Sequence, residues 1–244
     1  MAEEELIYGH AKQALQSLTD RKKRGKERIS DFFWEVFIII VAVNITLWFH
    51  DWSEKRHDRR QVKEFLIDTR ESLVQDTVNI RNYITFMTNE PLAYYDTTLF
   101  QISGNKIDAQ YIDTLYSQLL NNSSINFNYS IYQSFSAVGN LRLIENRKLL
   151  SDIISLYSFR FPLVQNNIIN LNQKRSDGFD KYIGYKIGYS NSGGIELSTI
   201  IHQPDVKYLI QWGAICIKGQ NGQCEDLINK VAAVIHEIDE EIKK

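Results

Sequence analysis

The sequence predicts an all-α protein in which a single transmembrane helix continues into an elongated extracytoplasmic helical bundle. Three observations carry that reading. Phe32 to Phe49 is an 18-residue apolar run broken only by Glu35 and Asn44. No Gly or Pro occurs between Lys26 and Glu90, so nothing forces a helix to stop there. The 244-residue chain has only three prolines (Pro91, Pro162 and Pro204), which fits neither a disordered nor an all-β chain.

The chain divides on this reading into four parts: a cytoplasmic amphipathic and basic arm (1–30), the transmembrane helix (31–52), a juxtamembrane helix (53–90) and a periplasmic helical domain (91–244). In the arm, Leu6, Ile7, Ala11, Ala14, Leu15 and Leu18 form a helical stripe before the basic run RKKRGKER at 21–28. Such a segment suits the inner leaflet, with its cations on anionic headgroups, or a cytoplasmic partner.

As a helix, the apolar run is about 27 Å long, near the thickness of a bilayer's hydrocarbon core. Trp34 at one end and Trp48 and Trp52 at the other make interfacial belts. About twenty acidic and amphipathic residues precede the basic run, and no small-residue cleavage site follows the apolar one, so the apolar run reads as an uncleaved signal anchor. The basic cluster at 21–28 is denser than Lys55, Arg56, Arg59, Arg60 and Lys63 on the far side. That asymmetry, with the Cys216 and Cys224 pair suited to an oxidising space, predicts a cytoplasmic N-terminus and an extracytoplasmic C-terminal domain.

Two polar residues interrupt the span. At 100° per residue Glu35, Ile39, Ala42, Thr46 and Phe49 share a face, with Asn44 opposite. Ala42 and Thr46 make a small-xxx-small step that admits a close helix neighbour. Glu35 lies about 5 Å into the span, within reach either of a helix contact or of the interface. Asn44 is deeper, where an amide seeks a hydrogen bond across helices. The expected partners are therefore the lipid bilayer and either a second copy or other inner-membrane subunits.

Past the membrane, Leu66, Leu73, Ile80 and Met87 recur every seven residues, with Val62, Thr69, Asp76 and Tyr83 between them. The second set is half polar, which favours a bundle helix over a two-stranded coiled coil. Glu90-Pro91 is expected to end it. Asp108–Leu120 has helical spacing, 121–128 reads as a polar loop, and Tyr129–Val138 as a short helix stopped by Gly139-Asn140. Asn146–Lys174 is helical with a kink or break at Pro162, and the Gly- and Tyr-rich 178–194 is an irregular loop. Two last helices, near 205–217 and 223–243, are expected to be separated by Gly219 and Gly222. Cys216 and Cys224 flank that turn. In an oxidising compartment they predict a local disulfide, with free thiols as the other reading.

Two patches resemble a family of Bacteroidota single-pass inner-membrane proteins of unknown function. That family reads G-E, an apolar run, then W-N-E-x-R. Here Glu35 precedes Trp52 by 17 residues, followed by Ser53-Glu54-Lys55-Arg56. Trp34 and Ala42 stand where the family has Gly, and Ser53 where it has Asn. In the second patch, 132–157, Tyr132, Gly139, Leu141, Ile144, Asn146, Leu149, Ile153 and Tyr157 match the family's spacing. The resemblance implies topology and architecture, with a bacterial inner-membrane location and a periplasmic C-terminal domain, and no activity.

The 28 basic and 30 acidic residues leave a net charge of −2, which points to no nucleic-acid partner. No nucleophile elbow, phosphate loop, zinc-protease motif or dinucleotide fingerprint is present. The five histidines are scattered without ligand spacing. The sequence therefore predicts no enzyme, no cofactor and no metal. The leading expectation is a structural or accessory subunit of an inner-membrane assembly. A periplasmic ligand-sensing bundle and a membrane-acting, pore-forming or defence oligomer are the alternatives.

Overall fold

The computed structural model describes residues 25–104, 121–184 and 200–244. The expected arm helix at 3–20, the helix at 108–120 and most of the Tyr-rich loop lie outside the described residues. The chain falls into two compact units, Met1–Gln61 and Val62–Lys244. Among the described residues the regular structure is helical throughout, with no strand, so the all-α class holds.

Helix α1 runs from Gly25 to Met87, as the absence of Gly and Pro allows. In the first unit its side chains from Phe33 to Trp52 are mostly exposed, including Phe33, Trp34, Ile45, Leu47, Trp48 and Phe49. Along Val62–Met87 the pattern reverses. Leu66, Leu73, Ile80 and Met87 are buried, and so are Thr69, Asp76 and Tyr83 between them. The sevenfold repeat therefore serves intramolecular bundle packing.

Pro91 does not end the helix. Proline lacks an N–H and its ring crowds the carbonyl four residues back, and the chain absorbs both by widening into a π turn, Thr88–Leu92. Helix α2, Ala93–Gly104, follows at once. Residues 121–129 are irregular. Helix α3, Ser130–Ala137, stops at Gly139, whose φ of 75° is left-handed, the conformation glycine accepts without a Cβ penalty. A 3₁₀ turn, Asn140–Leu143, leads to α4, Arg147–Ser155. The Asn146 side chain caps α4 by accepting from the Leu149 N–H at 3.2 Å. The break expected at Pro162 is a second π turn, Leu156–Arg160. It places Pro162 in the first turn of α5, Phe161–Gly178, where a missing N–H costs nothing. A third π turn, Phe179–Gly184, follows α5.

The C-terminal pair of helices is instead one helix, α6, Pro204–Ile242. Gly219 and Gly222 face outward, and no atom lies within 4 Å of where a Cβ would sit at either. Each weakens the helix by about 1 kcal/mol. Their inward neighbours Ile217, Gln220, Asn221 and Cys224 are buried, and that packing holds the helix together. The disulfide expectation falls with the turn. Cys216 and Cys224 are free, buried thiols. Eight residues on one helix separate their Cα atoms by about 12 Å, beyond the reach of an S–S bond.

Helix α6 is the centre of the second unit and packs on α2, α4 and α5. It runs antiparallel to the Val62–Leu92 stretch. Arg70 Nε donates to Asp239 Oδ1 at 2.5 Å, the Tyr83 hydroxyl to Gln220 Oε1 at 3.4 Å, and Asn221 Nδ2 to Thr88 Oγ1 at 2.9 Å. At Gly213 a Cβ would collide with the buried Tyr95 ring of α2, so only glycine allows that approach.

Candidate functional site

The first unit offers its apolar segment. Within α1 an 18-residue window reaches a mean hydropathy of 2.1 with none of it buried, so the helix is long and apolar enough to cross a membrane. A soluble helix shows one apolar stripe, whereas this one is apolar and exposed on nearly every side. Trp34 stacks on Phe37 at 5.5 Å between ring centroids, Phe49 packs on Trp52 at 5.6 Å, and the Arg56 guanidinium lies 5.5 Å from the Trp52 ring.

The polar residues of the segment behave differently from one another. Asn44 Nδ2 donates to the Ile40 carbonyl at 2.7 Å, and Thr46 Oγ1 to the Ala42 carbonyl at 2.9 Å. Both side chains thus meet much of their need inside their own helix, as short polar residues do in apolar surroundings. Sequence reasoning missed this folding-back, and it reduces what Asn44 demands of a neighbour. Glu35 has no such recourse, and its Oε2 is enclosed without a hydrogen-bond partner. Glu35, Ile39 and Ala42 are half-buried, while Thr46 and Phe49 on the same face are exposed. One turn further on, His50, Asp51 and Glu54 bring their ligand atoms within 4.8 Å of one another. All three are exposed, and His50 Nδ1 stands 3.9 Å from each carboxylate.

The second unit has a polar interior in two places. The first is a seam along α5 and α6. Buried Arg175 donates from Nη2 to the Asn121 carbonyl at 2.6 Å and to the Asn122 side chain, and its guanidinium lies 5.9 Å from the Tyr95 ring. Asn172 Nδ2 donates to the Ser123 carbonyl at 2.7 Å, and Gln220 Nε2 to Asn172 Oδ1 and the Ile168 carbonyl, both at 3.3 Å. These groups satisfy the backbone of the irregular segment that the sequence marks only as polar.

The second place is a cluster around Asp76. Its carboxylate is buried and accepts one long bond, 3.4 Å, from the Asn128 N–H. Burial pushes its pKa up to about 6, against the smaller opposing effect of that hydrogen bond. The phenols of Tyr129 and Tyr157 share its field, and burial raises both.

The second patch of the family resemblance is explained here by packing. Tyr132 and Tyr157 stack in parallel at 4.8 Å, and Ile144, Leu149 and Ile153 are core residues. Asn146, besides capping α4, donates to Glu241 Oε2 at 2.8 Å, which holds Glu241 below the usual carboxylate range. Comparison of the chain with family models, with curated proteins and with solved structures finds no match.

Proposed function

We propose that residues 31–52 anchor the chain in a bacterial inner membrane with the N-terminus cytoplasmic and the helical unit periplasmic. In this reading the chain is a non-enzymatic structural or accessory subunit. Its span packs against a second copy or another inner-membrane subunit. The observation that carries the reading is the exposure of the apolar segment on nearly all its sides, a state that water penalises and lipid relieves. Aromatic rings at both ends of the segment support the same placement.

The partner face is the one bearing Glu35, Ile39, Ala42 and Thr46. Glu35 is the main reason for it, because an ionisable side chain inside a span faces protein by default rather than lipid. Ala42 supplies the small residue that lets such a helix approach. Single cysteines at Ala42 and Thr46, oxidised in native membranes, test the proposal. The reading expects crosslinks to a second copy or to a distinct protein at these positions and fewer at Val43. Absence of any captured species at both positions overturns it.

A further inference from the structure

His50, Asp51 and Glu54 directly follow the apolar segment on α1. Residues three and four apart along a helix are neighbours on its surface, so Glu54 lies beside both His50 and Asp51. Together they offer one imidazole nitrogen and two carboxylate oxygens within 4.8 Å of one another, and all three side chains are exposed. His50 Nδ1 lies 3.9 Å from Asp51 Oδ1 and 3.9 Å from Glu54 Oε2. Those separations exceed a hydrogen bond, so the ring nitrogen is bonded to neither carboxylate and the three atoms surround a common point.

The size of that point suits an ion. A triangle with two sides of 3.9 Å and a third of at most 4.8 Å has its centre about 2.5 Å or less from each corner, close to the roughly 2.0–2.2 Å of Zn–N and Zn–O bonds. A small torsional adjustment of exposed side chains closes the difference. Donor chemistry and charge narrow the choice of ion. Imidazole nitrogen suits Zn²⁺, whereas Mg²⁺ and Ca²⁺ prefer ligands that are all oxygen. Two carboxylates and a neutral imidazole balance two positive charges. Three protein ligands also leave one tetrahedral position open, as in zinc sites that carry a water.

We propose that His50, Asp51 and Glu54 form a surface binding site for one Zn²⁺ ion. His50 binds through Nδ1, Asp51 and Glu54 each through one oxygen, and water fills the fourth position. All the ligands come from one helix, so the ion joins no separate elements of the fold and exchanges with solvent. The site forms whether or not the segment before it crosses a membrane. In the proposed topology it lies at the periplasmic surface of the bilayer.

The test is calorimetric titration of ZnCl₂ into the full chain in detergent, after removal of metal by a chelator. His57→Ala is the control, because His57 is a second exposed histidine on the same helix, with its Nε2 3.0 Å from Gln61 Nε2. Wild type and this control are expected to bind Zn²⁺ with the same affinity. His50→Ala and Glu54→Gln are each expected to weaken binding at least about tenfold, since a lost ligand costs no less than a lost supporting contact. MgCl₂ is expected to give no saturable heat. Absence of saturable Zn²⁺ binding by the wild type overturns the proposal. Wild-type affinity in either ligand variant, or loss of binding in His57→Ala, also overturns it by placing the ion elsewhere. Equal affinity for Mg²⁺ does so too, by removing the role of the imidazole. The ligands are exposed, so the far-UV circular dichroism of the variants is expected to match wild type. Should either variant misfold, NMR of the wild-type histidine rings decides. A His50 signal that moves on Zn²⁺ addition supports the site, and one that stays in place refutes it.

Discussion

Asp76→Asn is expected to change how stability depends on pH. In the folded chain burial holds the carboxyl at about 6, against 3.8 for an ordinary aspartate. A raised acid pKa means that the folded state keeps its proton where the unfolded state has lost it. The stability this confers is complete below 3.8 and is lost as pH rises through about 6. At about 1.4 kcal/mol per pH unit, the gap corresponds to at most about 3 kcal/mol. Asparagine keeps the shape without the charge. The two proteins are therefore expected to differ least near pH 4. By neutral pH the variant gains up to about 3 kcal/mol over that baseline, or about 6–12 °C for a unit of this size. The carboxylates lowered by partners, Asp239 and Glu241, weaken the fold on acidification. They do so equally in both proteins and cancel in the comparison. Far-UV circular dichroism melts across that pH range measure the effect. Parallel pH profiles, or a variant that loses ground as pH rises, refute the assignment of an uncompensated buried carboxylate.

Three further outcomes follow from the packing. Gly213→Ala places a methyl against the buried Tyr95 ring, and overpacking of this kind costs about 1–3 kcal/mol in chemical denaturation. Asn146→Ala removes the α4 cap and the bond to Glu241. It should cost about 1–2 kcal/mol and return the Glu241 pKa upward, which a carbon-detected NMR titration reads. Cys216 and Cys224 should stay unreactive to thiol reagents in the folded chain and become fully reactive on denaturation. Reductant should leave the melting midpoint unchanged.

The features legible in the sequence were those fixed by local chemistry. The long helix through residues 26–87 followed from missing breakers, and the stop at Gly139 followed from the backbone freedom that glycine alone has. The burial of Leu66, Leu73, Ile80 and Met87 followed from their spacing. Features settled by tertiary contact were not legible. Gly219 and Gly222 look like a turn until Gln220, Asn221 and Cys224 are seen buried between the neighbouring helices. Pro91 looks like a terminator and Pro162 like a kink or break, and in both places a π turn takes up the misfit. In the candidate site, the sequence isolates Asn44 as the group in need of a partner, because periodicity does not show that its amide reaches the Ile40 carbonyl. Asp76 appears only as a flaw in a heptad, and its phenol neighbours come from residues more than fifty positions away.

The membrane anchor is the claim on which the proposed function rests, and alkaline carbonate extraction of membranes from cells expressing the full chain tests it most directly. A helix crossing the bilayer resists that treatment, so the protein is predicted to remain in the membrane pellet. Recovery of the intact chain in the carbonate supernatant would contradict the account.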